Sequence, residues 1–198
     1  MSKKLEHKLL EVIHKYYPVS VECGTIEYES NLESKKLMHL IKNTEQDNDR
    51  INKLKQFLSV ISSKNVDMSV QDYTLLGSND RCFNIQLVKD LFHEARTHSI
   101  CINISILKPY YTINVLEIQR SSDFKRRIGS PQRKESLETG IYKNIITKIQ
   151  KYLNEQMGLE NFPESLLNKV IPDISFQNSN FGQFTFYNAF FMDDFYTR

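Results

Sequence analysis

Residues 99–119 read Ser99-Ile-Cys-Ile-Asn-Ile-Ser-Ile-Leu107, then Lys108-Pro109-Tyr110, then Tyr111-Thr-Ile-Asn-Val-Leu-Glu-Ile-Gln119. In the first run Ile100, Ile102, Ile104 and Ile106 fall on one side, and Cys101, Asn103, Ser105 and Leu107 on the other. A period of two is the signature of a β-strand. The Pro-containing turn and the second run make an antiparallel hairpin. One face of such a sheet is apolar and has to be covered by helices.

Working outward, Met68–Leu76 and Cys82–Val88 read as two further strands, separated by the turn cluster Gly77-Ser78-Asn79-Asp80. Before them lie helical patterns. Leu5, Leu9, Val12, Ile13 and Tyr16 share one helical face, and Pro18 ends that helix. Residues 19–28 read as an extended segment interrupted at Gly24. Ser30-Asn31-Leu32-Glu33 has the form of a capping box, opening a helix with Leu37, Leu40 and Ile41 on one face. Asn43–Asp49 is a polar loop, and Ile51, Leu54, Phe57, Leu58 and Ile61 mark a further helix. After the hairpin, residues 120–134 show no period and read as a long exposed loop. Ser136–Met157 is strongly amphipathic, with Gly158 at its end. Pro163–Lys169 is a short helix, and Phe184–Phe191 a final aromatic strand. The expected fold is therefore α+β, a single domain over residues 1–198. Its antiparallel sheet is formed by strands within 67–119 and a C-terminal strand, packed against N-terminal helices and the long 136–157 helix.

The 198-residue chain carries a net charge of +2, with 40% hydrophobic and 25% charged residues. A chain of this length buries enough surface to hold a core without metal or disulfide staples. No apolar run approaches the ~20 residues that span a bilayer, and Met-Ser-Lys-Lys-Leu-Glu-His-Lys lacks the apolar region of a secretory signal. The expected location is cytoplasmic, with no membrane association. The three cysteines, Cys23, Cys82 and Cys101, are odd in number and widely spaced. They suit reduced thiols better than a disulfide framework or a zinc ribbon. Charge is segregated: residues 120–152 hold nine basic and three acidic groups, and residues 153–198 hold two basic and six acidic.

The motifs that carry chemistry are incomplete. In His93-Glu94-Ala95-Arg96-Thr97-His98 the two histidines are five apart, so on a helix they diverge by about 140° instead of sharing the face that a zinc protease needs. Glu117-Ile118-Gln119 has the spacing of a restriction-type nuclease strand. Residues 95–116, however, contain no Asp or Glu to complete a metal-binding pair. There is no Gly-x-Ser-x-Gly elbow and no phosphate-binding glycine loop. No catalytic residue, cofactor or metal ligand set is therefore expected. Arg120, Lys125, Arg126, Arg127, Arg133 and Lys134 are the candidates for contact with nucleic-acid phosphates. Phe124 is the only aromatic among them to stack a base, and the sequence pI of about 8.3 is below that of a dedicated nucleic-acid binder.

The C-terminus is the most unusual segment. From Phe181 to Tyr196, nine of sixteen residues are Phe, Tyr or Met. Aromatic groups beside acids are typical interface anchors, so Tyr187, Phe191, Asp193, Asp194, Phe195 and Tyr196 are the expected contacts to a protein partner. The stretch Gly182-Gln-Phe-Thr-Phe-Tyr-Asn-Ala-Phe-Phe-Met-Asp-Asp-Phe-Tyr196, closing a chain rich in Lys, Ile and Asn, resembles the immunity proteins of polymorphic and contact-dependent toxin systems in low-GC or Bacteroidetes-type bacteria. That resemblance implies a non-enzymatic inhibitor that occludes a cognate toxin in the cytoplasm. The near-neutral total points away from a nuclease as that toxin.

Overall fold

The computed structural model describes residues 3–64, 68–78, 80–89, 96–120, 126–131 and 142–193. Its centre is the expected hairpin. Strand β3 (Arg96–Ser105) pairs antiparallel with β4 (Tyr110–Arg120), Ile104 opposite Tyr111 and Ile100 opposite Val115. On the other side β3 pairs with β2 (Cys82–Lys89), which pairs with β1 (Met68–Asp72). The sheet order is β1-β2-β3-β4-β5, where β5 is Arg126–Pro131. Beside β5, the short strand β6 (Glu160–Asn161) runs parallel to the start of β4, through Tyr110 and Tyr111. The sheet is thus mostly antiparallel, with one parallel contact that local pattern does not encode. The β5 strand also corrects the reading of 120–134 as a loop throughout. It pairs antiparallel to β4 across an irregularity between Leu116 and Ile118. Its Pro131 is tolerated because it lies at the end of an edge strand.

Four helices precede the sheet: α1 (Lys3–Ile13), α2 (Ile26–Ser30), α3 (Leu32–Gln46) and α4 (Asn48–Lys64). The extended segment expected over 19–28 instead turns at Gly24 (φ +85°), and Thr25 then caps α2 by accepting the Tyr28 N–H. The cap of α3 is Asn31, whose Oδ1 accepts the Glu33 N–H at 3.1 Å, rather than Ser30. Helix α3 runs through most of the polar stretch expected to be a loop, and only Asp47 separates it from α4. Of the long helix expected over 136–157, the described part is α5 (Lys143–Glu155), with Ile146, Ile149 and Leu153 buried. The short helix α6 (Glu164–Leu167) lies within the expected Pro163–Lys169.

The apolar face of the sheet carries Phe83, Ile85 and Leu87 on β2 and Ile100, Ile102 and Ile104 on β3, all buried. Helices α4 and α5 cover it. Phe57 of α4 packs on Tyr152 of α5 at 5.5 Å, and the Tyr111 hydroxyl donates to Asn154 Oδ1 at 3.0 Å. Arg50 of α4 lies 5.3 Å over the Phe83 ring and donates to the Ser105 carbonyl at 2.6 Å.

The largest correction concerns the C-terminus. Phe184–Phe191 is not a strand. Residues Phe186–Phe190 form a helix, α7, and all five are buried. The segment is apolar on every side, and periodicity cannot separate a short buried strand from a short buried helix. Capping chemistry decides the matter. The Thr185 side chain accepts the Asn188 N–H, and Asn188 Oδ1 accepts the Thr185 N–H at 2.9 Å, a reciprocal box. We predict that Thr185→Ala lowers stability in urea titration by about 1–2 kcal/mol, whereas Thr185→Ser, which keeps the acceptor, stays near wild type.

Candidate functional site

The second face of the sheet is buried as well, yet it is polar. Cys82, Asn84 and Gln86 on β2, Ser99, Cys101, Asn103 and Ser105 on β3, and Thr112 on β4 are all inaccessible to solvent or nearly so. The register puts Asn84, Asn103 and Thr112 in one row across three strands. The amides satisfy one another, whereas the Ser99 hydroxyl has no hydrogen-bond partner among the described residues. Gln86 Nε2 donates to Asn84 Oδ1 at 3.3 Å, and Asn103 Nδ2 donates to the Tyr187 hydroxyl at 3.0 Å. The Cys101 thiol donates to Asn103 Oδ1 at 3.6 Å. The segment that lies over this face is α7 and its continuation, through Tyr187 and through Met192, whose Sδ accepts from Asn84 Nδ2 at 3.3 Å.

Arg81, the residue just before β2, fastens that segment down. Its side chain is 0% exposed. Nε and Nη2 donate to the Asn188 carbonyl at 3.1 and 2.6 Å, Nη2 to Asp193 Oδ1 at 2.6 Å, and Nη1 to Gln177 Oε1 at 3.1 Å. The guanidinium also lies 4.7 Å over the Phe176 ring. Its backbone joins in, with Arg81 N–H donating to Phe191 O and Arg81 O accepting from Ile106 N–H, both at 2.9 Å. Tyr17, past the end of α1, completes the cluster by donating to the Ala189 carbonyl at 2.7 Å. Burial works against the charge on Arg81, and Tyr17 and Asp193 beside it favour the charge and prevail. This geometry neutralises and orients a cation inside the protein.

The structure places three residues of the expected site. Tyr187 and Phe191 are fully buried and Asp193 is nearly so. Tyr187 bonds the sheet, Phe191 packs on Phe162 at 5.6 Å, and Asp193 holds Arg81. Side chains already committed to internal contacts offer a partner no free face. Asp194, Phe195 and Tyr196 lie outside the described residues. So do Lys125, Arg133 and Lys134 of the basic stretch. Arg120 and Arg126 pair directly across β4 and β5, and Arg127 pairs with Gln119. His93 lies outside the described residues, while His98 stands on β3 opposite Glu117.

Arg81, Asn188, Gln177 and the Asn84–Asn103 row are not singled out by motif reading. One signal was present. Cys101, Asn103 and Ser105 fill the second face of β3 with small uncharged groups, where a face turned to water would carry Lys or Glu.

The most exposed apolar surface lies elsewhere. Ile26, first in α2, is 88% exposed, and Leu32, first in α3, is 62% exposed. Each precedes by two positions a buried residue, Tyr28 or Ser34, and so points away from the core. Glu22, Glu27, Glu29 and Glu33 surround them in sequence, and no Lys or Arg falls within 22–33. Comparison with known protein families, curated proteins and solved structures finds no match. Among the described residues, no helix is long and apolar enough to cross a membrane.

Removing one partner of the buried pair strands the other, so Asp193→Ala should cost about 3–5 kcal/mol in urea unfolding. Arg81→Met combined with Asp193→Leu should cost less than the two single changes added together. Burial also raises Cys82 well above its ordinary value of 9.0 and pushes Cys101 up to about 12. The folded chain therefore keeps protons that the unfolded chain releases. Stability should be complete below pH 9.0 and fall as pH rises towards about 12, measured as the urea midpoint against pH.

Proposed function

We propose that the protein is a cytoplasmic, non-enzymatic binding protein of the immunity type, which neutralises a cognate bacterial toxin by covering its working surface. The observation that carries this reading is the knuckle between α2 and α3. There Ile26 and Leu32 project into solvent, with Glu22, Glu27, Glu29 and Glu33 near them in sequence and Glu33 paired with Lys36 at 3.7 Å. Two large aliphatic groups held out at helix starts are ready-made anchors, and burying each against a partner is worth about 1.5–3 kcal/mol. The glutamates favour a partner whose site is basic. They would steer it on approach and fix the orientation in which the aliphatic groups seat. The knuckle takes over the role that the C-terminal aromatics were expected to play, because Tyr187 and Phe191 are committed inside.

A second reading has one observation in its favour. The register of β3, β4 and β5 gathers the backbones of Arg96, Arg120, Arg126 and Arg127 at one end of the sheet, and Arg120 stands directly opposite Arg126. This supports a nucleic-acid-binding role for the basic stretch.

The test uses the purified chain and the toxin domain encoded beside its gene. Complex formation should be tight by calorimetry, and Ile26→Ser with Leu32→Ser should weaken it by about 100-fold with the fold intact. Unchanged affinity in that variant, growth arrest on expressing the chain alone, or a salt-sensitive shift of duplex DNA in place of toxin binding would overturn the reading.

A further inference from the structure

Strand β1 closes one end of the described sheet order, with β2 as its neighbour there. Two hydrogen bonds settle which of its backbone groups point inward. The Ile106 N–H donates to the Arg81 carbonyl at 2.9 Å, so Phe83, Ile85 and Leu87 also turn their backbone groups to β3. Asn84, Gln86 and Val88 between them turn theirs to β1. The Tyr73 N–H donates to the Asn84 carbonyl at 2.8 Å, which sets Ser69 and Gln71 facing β2. Met68, Val70 and Asp72 therefore direct their N–H and C=O groups away from the sheet. Among the described residues no backbone group meets them.

An outer row of this kind is a template for another strand, and chains commonly guard it with Lys, Pro or a bulge. Strand β1 reads Met68-Ser-Val-Gln-Asp72 and holds no Lys, Arg, Pro or Gly. Its register with β2 runs unbroken from Met68 to Asp72. Just beyond it, Tyr73 is 42% and Leu75 60% exposed.

The strand is also complementary to itself. Turned about a two-fold axis at Val70, it sets Met68 opposite Asp72 of a second copy, Ser69 opposite Gln71, and Val70 opposite Val70. This is the antiparallel register in which every residue of β1 finds a counterpart, and each outward residue then exchanges both bonds with its opposite. The faces agree as well. Ser69 and Gln71 share the polar face with Val88 and Gln86, and meet there as hydroxyl and amide. Val70 shares the apolar face with Leu87 and meets its own copy. Asp72, the one charge in the strand, does not oppose itself.

We propose that β1 is the junction between two copies of this chain, paired antiparallel about Val70 into one continuous sheet. The interface is isologous and so closes at two copies. Tyr73 and Leu75 follow the strand on each copy and supply apolar area at the two ends of the junction.

Val70→Pro is the diagnostic variant. It removes an N–H that the single chain does not use, and Pro is tolerated on an edge strand where the N–H faces outward. Sedimentation of the full chain over a concentration series should show monomer and dimer in equilibrium. Val70→Pro should weaken the dimer by about 30-fold, the loss of two main-chain bonds, and keep the circular dichroism of the wild type. Hydrogen exchange reads the same contact without a substitution. In the wild type, the amides of Val70 and Asp72 should exchange rapidly in dilute solution and become protected on concentration, whereas the Gln71 amide should be protected throughout. A chain that stays monomeric at every concentration overturns the proposal. So does a dimer that Val70→Pro leaves intact, a dimer lost in Ile26→Ser with Leu32→Ser, or exchange at Val70 and Asp72 that ignores concentration.

Discussion

Arg81 carries a full charge to a place that solvent does not reach. A cation there is tolerable only if every donor direction is met, because an uncompensated buried charge costs more than a small domain has to spare. The partners come from three parts of the chain: Phe176 and Gln177 before α7, the Asn188 carbonyl within it, and Asp193 after it. None of them lies near residue 81 in sequence. The requirement to satisfy one guanidinium therefore fixes where the last third of the chain must sit. It also explains why α7, a helix of only five residues, is held in place at all.

The same constraint accounts for the polar underside of the sheet. Once α7 is fixed by Arg81, Tyr187 and Met192 come down on Asn103 and Asn84. The amides then need no water, because each finds a partner in the row or in the covering segment. The molecule thus has two unlike interiors on either side of one sheet. One is aliphatic and closed by α4 and α5. The other is built of hydrogen bonds and closed by α7. Tyr187 and Phe191, which look in sequence like an adhesive surface, belong to this second closure.

Local pattern was enough for the hairpin and most of the helices, because Ile100 to Ile106 alternate without a break and α1 and α4 keep a steady apolar stripe. It failed where the deciding interaction was not local. Phe186–Phe190 offers no contrast between faces, so its helical state depends on the Thr185–Asn188 box and on what covers it. The pairing of Glu160–Asn161 with Tyr110–Tyr111 spans some fifty residues and leaves no periodic trace. Arg81 looked like any strand-edge cation, since its acid stands 112 positions away. The Cys101, Asn103, Ser105 series did carry a warning, being too small and too uncharged for a wet face, but it did not say what would lie over it.

That separation has a consequence for how the chain is made. The ribosome delivers Arg81 and the whole hairpin long before Asn188 and Asp193 exist. Until they emerge, the nascent protein holds a sheet with its amide row open to water and a guanidinium without the Asn188 carbonyl and the Asp193 carboxylate. Closure over the hydrogen-bonded underside is thus a late, all-or-nothing event in biosynthesis, and the half-made sheet is the form in which this chain is most in need of a chaperone.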